Sequence, residues 1–225
     1  MELSFELPLF WQGSGILDSL IFNWHQFWGL PQGPRASTQN NDFDISGDSS
    51  RNFDIESSGL RVGDLRFGIK KLLTSGNDNL PAFATSLEFR LPTGNEQFSP
   101  RGIDFTADLL ASKRIDKIIF YSGIYYSYFN NEFFNDIRYN QNRYGGFFTT
   151  EYAYSDSLSF LLTFLASSNL SSDIVIFPNH QVYSDIGFKY GLNKNLELEF
   201  NIRENPTPSE GSSDFSALFA FNYRN

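Results

Sequence analysis

Cysteine is absent from the 225 residues, methionine occurs once and histidine twice. Without cysteine there are no disulfides and no thiolate metal sites. With only two histidines a metal centre would need carboxylates, and no ligand spacing stands out. Neither metal nor cofactor is expected. No run of eighteen or so apolar residues occurs, which excludes a protein that crosses a membrane as helices. Basic side chains are scarce: 17 Lys and Arg stand against 26 Asp and Glu, a formal net charge of -9. That balance argues against a nucleic-acid partner. Residues 1–10 lack the basic n-region and apolar core of an export leader; Leu3, Phe5 and Leu7 alternate with Ser4 and Glu6 instead, like a strand already under way.

Aromatics are abundant, at 17% with 25 Phe and 11 Tyr. Hydrophobic residues at 40% against charged ones at 19% exclude disorder, and the length suits one all-β domain covering 1–225. Mean hydropathy is -0.32, which a β-barrel tolerates because half of each strand faces its interior.

Residues 181–203 carry the clearest pattern. Val182, Ile186, Phe188 and Tyr190 alternate with polar neighbours, residues 192–195 turn the chain, and Leu196, Leu198, Phe200 and Ile202 alternate with Glu197, Glu199, Asn201 and Arg203. A period of two means strands, with successive side chains on opposite faces. Each arm is about ten residues, the length a tilted strand needs to cross a hydrocarbon layer. Similar segments recur at 2–9, 61–73, 81–91, 103–113, 142–154, 158–166 and 214–223. The segment 118–129 is apolar on both faces, so its orientation is open. Connections at 113–117, 154–157 and 191–195 are tight, whereas those at 92–102, 130–141, 167–179 and 205–213 are long and polar. Membrane barrels sort their loops in this way, short turns on one side and long loops on the other.

The expectation is an antiparallel transmembrane β-barrel of about ten strands, apolar side chains toward lipid and charges inside. A lipocalin-like barrel with the opposite polarity is the alternative. The interior would hold Asp64, Glu88, Asp104, Asp108, Glu151, Asp185, Glu197 and Glu199 against Arg66, Lys70, Arg90, Arg143, Lys189 and Arg203. Mixed signs predict paired ladders, because an unpaired charge in a narrow interior is costly.

One segment differs. At about 100° per residue, Ile16, Leu17, Leu20, Ile21, Trp24, Phe27 and Trp28 share an arc of roughly 140°. This predicts an amphipathic helix, ended by Gly29 and Pro31, within an outer loop at 15–35. The helix could lie on the outer leaflet, plug the barrel mouth or cap it. Asp18 and His25 share one edge and could form a polar cluster with Arg35. A hydrolase with His25 as base and Asp18 as orienter is the sharper alternative, but two turns separate them, about 10 Å, and no nucleophile motif accompanies them. Docking or capping is favoured.

The run from Gly15 to Arg35, GILDSLIFNWHQFWGLPQGPR, resembles a family of uncharacterised Gram-negative outer-membrane proteins, DUF3187. Residues 62–65, 91–94 and the C-terminal Glu204, Asp214, Phe215, Tyr223 and Arg224 support the likeness, which runs over essentially the whole chain. It implies the bacterial outer membrane, an upstream leader and two further strands, making about twelve. It brings no activity and no catalytic residues. The location implies outer-membrane lipid as surroundings and the barrel-assembly machinery as partner during biogenesis, which would read Tyr223 near the C-terminus. The oligomeric state is left open. The function expected is a narrow channel or transport protein for small solutes, with a structural or surface-interaction barrel as the alternative and an outer-membrane lipid hydrolase behind both.

Overall fold

The structure is a computed structural model and describes residues 1–12, 17–32, 37, 46–47, 53–54, 59–95, 99–134, 137–171, 180–206 and 215–223. The alternating segments form one 10-stranded antiparallel sheet. Its strands are β1 (Glu2–Glu6), β2 (Leu65–Thr74), β3 (Ala82–Leu91), β4 (Asp104–Ile115) and β5 (Ile118–Tyr128). They continue as β6 (Asn142–Ala153), β7 (Leu158–Ser168), β8 (His180–Gly191), β9 (Leu196–Glu204) and β10 (Phe215–Tyr223). Each pairs with the next in chain order, so the topology is a pure meander. β1 and β10 are the edges and do not pair with each other: the sheet is all-β and antiparallel, and it is not closed into a barrel.

Short turns and long connections alternate along the whole sheet. The turns after β2, β7's predecessor β6 and β8 use one device: a polar side chain accepts two successive backbone N–H groups. Asn77 Oδ1 takes those of Asn79 and Leu80, both at 2.9 Å; Ser155 Oγ takes those of Ser157 and Leu158 at 3.3 and 3.1 Å; Asn193 Oδ1 takes those of Asn195 and Leu196, both at 2.9 Å. The turn between β4 and β5 is tighter, with Asp116 at φ 54.

The 61–73 segment differs from expectation by breaking in two. Gly59–Val62 pairs with Leu9–Gln12 in a separate ribbon, and β2 begins only at Leu65. The break lies at Gly63, whose N–H donates to Pro8 O at 2.8 Å while the Phe10 ring sits where a Cβ would be. The helix α1 spans Asp18–Trp28 within the β1–β2 connection. Gly29 stops it in the left-handed conformation, φ 67, and the Leu30 N–H closes back on His25 O at 2.8 Å.

Burial is inverted relative to a soluble protein. Among the described residues the buried hydrophobic side chains are Ala84 and Leu161, whereas Asp64, Asp104, Glu151, Gln181 and Asp185 are all buried. Ile186 (66%), Phe164 (50%) and Phe219 (70%) are exposed. The register explains this. On one face Ile186 opposes Ile202 and Phe188 opposes Phe200; on the other Asp185 opposes Arg203 and Lys189 opposes Glu199. A lipocalin-like packing has the reverse polarity. The ladder also orients 118–129: Tyr121, Gly123, Tyr125 and Ser127 pair with Thr149, Phe147, Gly145 and Arg143 on the charged face, leaving Phe120, Ile124 and Tyr126 on the apolar one.

Candidate functional site: the charged face and its mouth

Asp64, just before β2, joins the other interior candidates through Arg90; period two places every one of those within the strands on the same face. Cross-strand register carries it from Glu2, Ser4 and Glu6 of β1 through Arg66, Lys70, Glu88, Arg90, Asp104, Asp108, Arg143, Glu151, Asp185, Lys189, Glu197, Glu199 and Arg203. This face curls around an open cavity of ≈ 610 Å³, to which Lys70 and Leu72 of β2 contribute from one end of the sheet and Arg203 and Leu218 from the other. Large side chains narrow the interior where glycine lets them in. Phe147 lies over Gly123 and Tyr125 over Gly145, so that a Cβ on either glycine would fall 2.5 Å from the ring or hydroxyl.

The charges form separate pairs. Near the short turns, Lys189 Nζ reaches Glu151 Oε2 at 3.3 Å, and the Tyr121 hydroxyl donates to the same oxygen at 3.1 Å. Arg203 grips Asp185 through two bonds of 2.8 Å, the planar fork matched to a carboxylate. Asp108 accepts from Ser86 Oγ at 2.7 Å, Glu199 from Asn201 at 2.8 Å, and Glu197 from Asn222 at 3.4 Å. Arg66 and Lys70 meet the β1 carboxylates Glu6 and Glu2 at 3.3 and 3.6 Å. Glu88 faces Gly68 and Thr106 across its two neighbouring strands.

The densest cluster is at the long-loop end. Arg90 donates to Asp64 through Nη1 and to Asp104 through Nη2 and Nε, the last at 2.6 Å. Asp64 further accepts from Ser99 Oγ and from the Gly94 N–H, and Asp104 from the Asn130 N–H at 2.9 Å. One guanidinium thereby ties the start of β2 to the connections after β3 and β5. In the latter, burial pushes the Tyr139 phenol above its ordinary value, keeping it neutral.

Arg143 stands apart. Among the described residues it has no carboxylate partner; its Nη2 lies 3.5 Å from Gln181 Oε1, its Nε is buried without a partner, and the guanidinium sits 6.0 Å from the centre of the Phe129 ring.

The helix candidates are elsewhere. Trp24 Nε1 donates to Glu204 Oε1 at 2.8 Å, and His25 Nε2 lies 3.7 Å from the same oxygen. His25 is only 3% exposed, with Nδ1 2.7 Å from Pro31 O. Trp28 packs edge-on against Trp24 and Phe27, and Leu17, Leu20, Phe27 and Trp28 remain exposed. Asp18 opens the first turn of the helix; Arg35 lies outside the described residues. No described helix residue lines the cavity. Glu204, which sequence reasoning missed, had a signal: it is the acidic break in the apolar series Leu196, Leu198, Phe200, Ile202.

The fold and this face define a class: an antiparallel meander with an apolar exterior and an ionised concave face. The chain belongs to the family described as Protein of unknown function (DUF3187), whose profile matches residues 1–225. No curated protein matches the sequence.

Proposed function

We propose that the sheet closes into a barrel in the bacterial outer membrane and that the barrel is a narrow channel for small polar solutes. The inverted burial carries the reading: an exterior of Ile186, Phe164, Phe219 and Phe221 in water would be an aggregation surface, whereas in lipid it is the normal one. Closure is compatible with the topology, since β1 rises from the short-turn side and β10 descends to it, so the edges run antiparallel.

Tyrosine placement supports the same reading. On the apolar face Tyr126, Tyr128 and Tyr144 lie at the long-loop ends of their strands, and Tyr152, Tyr190 and Tyr223 at the short-turn ends. From Tyr144 to Tyr152 the strand runs about 26 Å at about 3.3 Å per residue, which at a tilt of about 40° spans about 20 Å of height, of the order of the apolar band about 25 Å tall between aromatic girdles. α1 then sits at the outer rim, its exposed Leu20, Phe27 and Trp28 in the interfacial layer.

The cavity of ≈ 610 Å³ bordered by Asp185, Lys189, Glu199 and Arg203 is the proposed solute path. Purified full-length chain in planar bilayers should give small, discrete conductance steps; a correctly folded barrel that stays silent removes the channel reading. One observation favours a surface-interaction barrel without transport: Arg90, Asp64 and Asp104 pin two long connections at the mouth. Silence combined with an unaltered fold would select that alternative.

A further inference from the structure

We propose that Arg143 is the head-group site for a small organic carboxylate with an apolar body, entering from the long-loop side. The proposal rests on the barrel reading, because it takes the charged face to be a solute path. Arg66, Lys70, Arg90, Lys189 and Arg203 each have a carboxylate partner; Arg143, on the same face, has an amide oxygen at 3.5 Å and an unpartnered buried Nε. A half-buried cation without a counter-ion is costly, and a planar guanidinium fork is complementary to a carboxylate. Among the described residues no carboxylate meets Arg143, so the complementary partner is an anion.

The adjoining cavity specifies the rest of the ligand. Arg143 borders a pocket of ≈ 260 Å³ whose lining includes Phe129, Pro100, Leu170 and Tyr139 together with Asn131 and Asn140. That is slightly below the usual range of small-molecule sites, about 300–1,000 Å³, so it fits one ring or a short chain. Carbon walls favour an anion with an apolar body over inorganic phosphate. Arg90 also lines the pocket, but its carboxylates do not: Asp64 and Asp104 are occupied by Arg90, Ser99, Gly94 and Asn130. The charged side chains of the lining are thus the two arginines, Arg90 and Arg143.

The test is calorimetric titration of the full chain in detergent micelles with benzoate, benzamide and inorganic phosphate. Benzoate should bind saturably, benzamide and phosphate at least about tenfold more weakly, and Arg143→Gln should lose benzoate affinity by about tenfold or more, with Arg143→Lys retaining part of it. Equal benzoate affinity in Arg143→Gln, benzamide binding as tightly as benzoate, or no saturable binding by wild type would each overturn the proposal. Circular dichroism checks that the variant folds; if Arg143→Gln does not, the wild-type comparison of benzoate with benzamide decides. Conductance separates the two readings. A silent barrel that binds benzoate through Arg143 removes transport and keeps the site, whereas a conducting barrel indifferent to benzoate removes the site alone.

Discussion

Arg90 has three hydrogen bonds to two nearly inaccessible carboxylates, so its loss would strand both. Arg90→Ala should lower unfolding stability by about 3–5 kcal/mol, read as a lower urea midpoint in detergent. Arg66→Ala, whose pair with Glu6 is 40% and 56% exposed, should change it by no more than about 1 kcal/mol. Gly123→Val would push a branched side chain into Phe147 and Leu110 and should cost about 1–3 kcal/mol by overpacking, again as a shifted midpoint. The charged residues' common face was legible because strand periodicity admits only two sides. Their partners were not. Arg90 opposes Asp104 through strand register, but Asp64 precedes its strand, and nothing local announces that it turns back to Arg90.

At the scale of elements, strand cores matched their alternating segments closely, with β3 at Ala82–Leu91 against 81–91 and β10 at Phe215–Tyr223 against 214–223. Only β5 was ambiguous, because Tyr and Gly on its charged face look as apolar as the other side; its orientation comes from Ser127 opposing Arg143. The helix was legible from its arc and its terminal glycine, but its anchor lies 180 residues away in sequence, at Glu204. Glu204→Ala should remove a charge-assisted bond of about 1.5–3 kcal/mol and loosen the helix. In a Trp11→Phe background, so that Trp24 and Trp28 report alone, the emission should change on Glu204→Ala. With Glu204 intact, lipids brominated near the headgroup should quench those tryptophans more than lipids brominated near the chain ends. Quenching by neither class would place the helix away from the membrane.

For the whole molecule, one physical assignment governs the proposed barrel reading: which face of the sheet meets lipid. That β1 and β10 stay unpaired at the edges of the sheet was not legible, since pairing between a first and a last strand, or its lack, leaves no local pattern. The polarity of the two faces was legible, because apolar and ionised residues alternate on seven of the ten strands. The absence of cysteine makes the decisive measurement clean. Single cysteines at Leu162, Ile186 and Phe219 on the apolar face, and at Thr163 and Asn201 on the cavity side, would be spin-labelled in reconstituted bilayers and their relaxation by oxygen compared with that by a water-soluble nickel chelate. The first set should respond to oxygen and resist nickel, and the second should respond to nickel. Ile186 and Phe219 labels relaxed mainly by the aqueous nickel complex, with Thr163 and Asn201 relaxed mainly by oxygen, would contradict the account.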